Sequence, residues 1–165
     1  MNKKVVIPII IIALIVLVIV VVSVINKDNQ NIQINIEELA TNISQSGAFE
    51  DELAKVDPEM TKSDYGFSDE EIKEIVSYQG SGATSEEIVI FQVNDKSYLN
   101  SVKEKINTRL EERKEAFEGY LPEEVFKIEN NVLDIRGNYV ILCISNDSGT
   151  VEETINNYIK SENLT

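Results

Sequence analysis

The sequence predicts a single N-terminal transmembrane helix followed by a small α+β domain. That domain is a four-stranded, mainly antiparallel sheet with helices packed on it, in the order helix, helix, strand, strand, helix, strand, strand, helix. Three observations predict it. Residues 5–25, VVIPIIIIALIVLVIVVVSVI, contain no charged residue. Beyond them, stretches with helical spacing alternate with short β-branched runs. Two of those runs flank a glycine-containing turn, Arg136-Gly137-Asn138.

A bilayer core about 30 Å thick needs about 20 apolar residues in a helix, so residues 5–25 suffice for one crossing. Valine and isoleucine form helices poorly in water, but lipid leaves the backbone no other way to satisfy its donors and acceptors. Pro8 falls in the first turn or so, where a missing N–H removes little from the ladder. Lys3 and Lys4 precede the run, and Lys27 is followed at once by Asp28, which favours a cytoplasmic N-terminus and an extracytoplasmic remainder at the plasma membrane. A signal peptide cut after Ser23 is the competing reading; the run exceeds the usual length of a signal core, about 7 to 15 residues. The only cysteine, Cys143, lies too far along the chain to carry an N-terminal lipid. The expected organisation is residues 1–25 as cytoplasmic tip and anchor, 26–35 as polar linker and 36–165 as the outward domain.

In that domain Ile36, Leu39, Ala40 and Ile43 recur at helical spacing, predicting a helix over about residues 36–45. A second short helix is expected over 50–56, stopped before Pro58. Ser68 and Glu71 have capping-box spacing, yet Ile75, Val76 and Tyr78 before a Gly-Ser-Gly loop suit a strand, and we read residues 72–78 as a strand. Residues 88–93 form a β-branched run that suits a central strand. Leu99, Val102, Ile106, Leu110 and Phe117 then mark the longest amphipathic helix outside the anchor. A hairpin over 132–144 follows, and a last helix carries Val151, Ile155, Tyr158 and Ile159. Asn94-Asp95 and Asn146-Asp147 each close a strand and open a helix, either as a duplication or as two uses of one cap signal.

Composition excludes several chemistries. The chain has 15 Lys and Arg against 29 Asp and Glu; without Lys3 and Lys4, 13 cations face the same 29 acids, a net −16. Such a surface repels nucleic-acid backbones, so nucleic acid is not an expected partner. Histidine is absent and cysteine occurs once, which excludes histidine-dependent triads, HExxH proteases, zinc clusters and dithiol redox motifs. No stretch has the ligand spacing of a calcium loop, so neither a metal nor a cofactor is expected. Cys143 lies in an apolar run and reads as a buried thiol. Asn42, Asn146 and Asn163 each begin an N-x-S/T sequon.

The candidate binding residues begin with Lys105, Arg109 and Arg113, spaced four apart as a positive stripe on the long helix. Like charges at that spacing repel by a few tenths of a kcal/mol, so they need compensation. Internal pairing with Glu86, Glu87, Glu123 or their neighbours is the structural explanation. An anion-binding groove is the functional one. Glu86 and Glu87 stand next to each other before the central strand and should point to opposite faces, so they cannot form one acid–base pair. Tyr120-Leu121-Pro122-Glu123 reads as a structural cap after the long helix. No catalytic residue is identified.

Several short motifs occur in order: Tyr65-Gly66, the Gly-Ser-Gly-Ala run ending in Glu86-Glu87-Ile88, Arg109 and Arg113, Tyr120-Leu-Pro-Glu123, and Gly137-Asn-Tyr139-Val140. Together they resemble an uncharacterised Firmicutes family, chiefly clostridial, the domain of unknown function 4358, over about residues 36–160. The resemblance implies secreted lipoproteins or membrane-anchored proteins, and brings no catalytic residues to carry over. This chain differs from lipoprotein members in lacking an N-terminal cysteine.

The expected function is a non-enzymatic, membrane-anchored extracytoplasmic module of the bacterial cell envelope, contacting an envelope protein or the cell wall. The alternatives are a carboxylate-dependent envelope hydrolase, which needs converging acids with raised pKa values, and an extracellular small-ligand sensor, which needs a pocket.

Overall fold

A computed structural model describes residues 33–119 and 121–162. The expected anchor, its cytoplasmic tip and nearly all of the linker fall outside the described residues, and among those described no helix is long and apolar enough to cross a membrane. From Gln33 onward the chain forms one compact unit.

The unit is α+β, as expected, with five strands rather than four. Its elements are α1 (Ile36–Ser44), β1 (Ala54–Lys55), α2 (Pro58–Tyr65), β2 (Ile72–Gln79), β3 (Glu87–Val93), a 3₁₀ turn (Lys96–Tyr98) running into α3 (Leu99–Glu118), α4 (Pro122–Glu129), β4 (Val132–Arg136), β5 (Tyr139–Ile144) and α5 (Ser148–Glu162). The sheet order is β1-β2-β3-β5-β4, and every neighbouring pair is antiparallel.

Two departures from expectation concern Pro58 and Pro122. The helix expected over residues 50–56 is absent; Ala54 and Lys55 instead pair with Gln79 and Tyr78 as the extra edge strand. Pro58 opens α2: Asp57 caps it, its carboxylate accepting from Glu59 N at 2.8 Å, and proline's missing N–H costs nothing in a first turn. Likewise, Pro122 begins α4 where only a cap was expected.

Strand alternation divides the core between the two faces of the sheet. Val89, Phe91, Val93, Val140 and Leu142 meet Val102 and Ile106 of α3 and Tyr65 of α2, with Phe67 stacked on Tyr65 and edge-on to Phe91. On the other face α1 and α5 pack against each other and the sheet through Ile36, Leu39, Ile43, Val151 and Ile155, all buried. Gly137, at φ +62°, makes the tight β4–β5 turn, a conformation cheap only for glycine. Asp95 and Asp147 both cap the helical segments that follow them, accepting from Ser97 N at 2.8 Å and Thr150 N at 3.0 Å.

Candidate functional site

The α3 stripe runs beside α2 and the start of β3, and each of its cations meets a different acid. Lys105 donates to Glu71 Oε2 at 2.6 Å and to the Gly66 carbonyl at 2.8 Å. Arg113 donates from Nη2 to the Ser85 carbonyl at 2.9 Å and holds Nε 3.7 Å from Glu87 Oε2. Arg109 is looser: Nη2 stops 3.9 Å from Asp64 Oδ2, and its guanidinium carbon lies 6.0 Å from the Tyr65 ring centre.

Glu71 is nearly enclosed. Burial alone would raise its carboxyl, but the Lys105 ammonium, the Ser101 hydroxyl and Ser68 N–H outweigh burial and pull it from an ordinary 4.5 down to about 2. Its bonds from Ser68 N and Oγ are the capping contact the spacing foretold, made here in a turn that leads into a strand.

Glu86 and Glu87 do diverge to separate partners. Glu87 accepts through Oε1 from the Tyr65 hydroxyl and from Gln79 Nε2, both at 3.1 Å, while Oε2 is buried with no hydrogen bond among the described residues. Burial pushes the Tyr65 hydroxyl well above its usual pKa, and the Glu87 charge adds to that effect.

Glu86 does not reach the stripe. Its fully buried carboxylate accepts from Glu50 N at 3.0 Å, from Asp51 N at 2.9 Å and from Lys127 Nζ at 3.2 Å. Lys127, itself buried, also meets Glu50 at 3.0 Å and Glu124 at 3.1 Å. Burial works against its charge, yet Glu50, Glu124 and Glu86 hold its pKa above that of an ordinary lysine. Burial likewise opposes ionisation of Glu124, and Ser85 N, the Ser85 hydroxyl and Lys127 reverse it, leaving that carboxyl below its usual range. This cluster joins the loop before β1, the entry to β3 and α4.

Of the pairings expected for the stripe, Glu87 is found beside Arg113, whereas Glu86 and Glu123 give way to Glu71 and Asp64. Neighbouring residues entering a strand diverge, which sends Glu86 to Lys127. Glu123 is exposed in the first turn of α4, where Glu124 is the inward acid. Tyr120 lies outside the described residues. The sequence marks Glu71 only as a capping partner of Ser68, not of Lys105, and leaves Glu124 and Lys127 unmarked; the i, i+3 spacing of Glu124 and Lys127 was the available signal.

Chemically, the carboxyls of Glu71 and Glu124 are held ionised, opposite to what a general acid needs near neutral pH. An open depression between α2 and α3, about 290 Å³, is lined by Asp64, Tyr65, Lys105, Thr108, Arg109 and Glu112. Among the described residues no cluster of acids, with Cys143, is arranged to hold a metal ion.

These features define a small α+β unit whose polar interior is closed by ion pairs beside an antiparallel sheet. The chain belongs to the family described as Domain of unknown function (DUF4358), which matches residues 45–145. No curated protein and no solved structure matches it.

Proposed function

We propose that this protein is a membrane-tethered binding module of the bacterial cell envelope. Residues 5–25 anchor it and the folded unit from Gln33 onward works outside the membrane on an envelope protein or wall partner. The observation that carries the reading is the uncharged apolar run, long enough for one crossing, immediately ahead of a compact unit with its own core. The state of the buried acids favours binding over hydrolysis: Glu71 and Glu124 are kept ionised by fixed donors. Their partners, Lys105 and Lys127, tie elements of the fold together.

Membrane fractionation with protease added to intact spheroplasts tests the tether. The full chain should stay in the pellet after alkaline carbonate washing and lose its folded unit to external protease. Release by carbonate, or complete protection from protease, would overturn the reading. Crosslinking in living cells should then capture a reproducible envelope partner.

A further inference from the structure

We propose that the free edge of β4 pairs, antiparallel, with β4 of a second copy of this chain, so that two five-stranded sheets join into one symmetric dimer. The surface is distinct from the tether and from any envelope partner.

Among the described residues β4 is hydrogen-bonded on one side only, to β5. Val93 N donates to the Asn138 carbonyl, which fixes the alternation of the ladder: Val140 turns its backbone groups toward β3, so Ile135 opposite it bonds nothing in β5. The N–H and C=O of Ile135 therefore point outward, as do those of Leu133. Leu133 packs on the core under α3, while Ile135, on the same face, is 38% exposed. The opposite edge of the sheet is blunted, because β1 has only two residues and β2 changes register between Ile72 and Glu74.

Charge singles out a second copy as the occupant. Isolated charges on an edge strand discourage pairing, but Arg136 grips Asp134 with Nε at 2.8 Å and Nη2 at 2.8 Å, so this edge carries an ordered, neutral pair. A two-fold axis through Ile135 lets the two Ile135 residues exchange backbone hydrogen bonds and sets Asp134 of each copy opposite Arg136 of the other. The helix above repeats the arrangement. Helix α5 lies over β4 and β5, and Asn156 on its flank accepts from Arg136 Nη2 at 3.0 Å. Glu152 and Lys160, four residues to either side of Asn156, share that flank; both are exposed and neither is in an ion pair among the described residues. Strands about 4.8 Å apart put the two α5 helices about 10 Å from each other across the axis, the spacing at which helices pack. Running antiparallel, they bring Glu152 of each copy to Lys160 of the other. Two independent charge pairs thus become complementary about one axis, which a foreign strand has no reason to match. The net negative charge of the chain repels a copy at long range, but physiological salt screens that repulsion beyond about 8 Å, while these pairs meet within it.

The test is sedimentation equilibrium of the full chain in a density-matched neutral detergent at about 0.15 M salt. The parent should dimerise. I135K sets two ammonium groups face to face on the axis and should abolish the dimer with little change in Tm. E152K and K160E should each weaken it by about tenfold, since a single reversal turns two attractions into two repulsions, and E152K/K160E together should restore it. Net charge alone gives a different pattern, in which E152K tightens association and only K160E loosens it. A parent still monomeric at about 1 mM would mean that the edge is covered by another segment or another partner, and would overturn the inference. So would a dimer indifferent to I135K or to the single reversals, or a double reversal no tighter than the singles. Should I135K fail to fold, the three charge variants decide alone. None of these outcomes bears on carbonate extraction or protease protection, so failure here is distinguishable from failure of the tether.

Discussion

Glu86 and Glu87 are consecutive carboxylates, both fully buried, and share no partner. Glu86 is tolerated because Glu50 N, Asp51 N and Lys127 surround it, and among the described residues Lys127 is the one side-chain cation in that cluster; Glu87 is held through Oε1 by Tyr65 and Gln79. K127M should therefore destabilise the protein by about 3–5 kcal/mol in urea unfolding, since Glu86 and Glu124 would keep their burial and lose their counter-ion. Converting Glu86 to Gln in the K127M background should recover part of that loss, because an amide needs no counter-ion. Acid should expose the Glu71 contribution. Its carboxyl titrates at about 2 when folded against an ordinary 4.5, so the stabilisation is fully present above about pH 4.5 and is lost as pH falls toward about 2. Urea midpoints across that window should fall less steeply in E71Q than in the parent. An equal slope in both would remove Glu71 from the acid response.

At the scale of elements, α2 is stapled at both ends. Asp57 caps its start, and Gly66, at φ +65°, closes it in a conformation that a side chain would strain. D57A should cost about 1 kcal/mol with D57S recovering most of it, and G66A should cost about as much again by thermal unfolding. The long helix, the last helix, the central strand and the β4–β5 hairpin were legible in the sequence because each carries enough periodic residues for one pattern to dominate. Strand β1 was not: two exposed residues have no period, and only Gln79 and Tyr78, far along the chain, make them a strand. Both prolines were taken as stops or caps although each stands just inside a helix start, followed by acids in the first turn. At the site, the need to compensate the stripe was legible from charge spacing. Of the acids, Glu87 was legible and Asp64 and Glu71 were not, because those two reach the stripe only through tertiary packing.

For the molecule as a whole, the most enclosed elements are β3 and β5, and Cys143 sits within them at 0% exposure. Burial raises its thiol pKa, and the nearby Glu87 charge raises it further. Iodoacetamide should accordingly label Cys143 only through global unfolding, with a rate that climbs with urea as steeply as unfolding itself; rapid labelling in native buffer would mean that the sheet opens locally. The sheet order has another consequence, for the ribosome. Strand β3 is complete at Val93, but the neighbour that covers its far edge ends at Ile144. At about 5–20 residues per second, several seconds of synthesis separate the two, during which an edge rich in β-branched residues, with Glu87 its one charged group, waits without its partner. The nascent chain is thus most prone to sticking to its copies before its second half exists, and slowing translation between residues 93 and 144 should lower yield more than the same pause placed after Ile144.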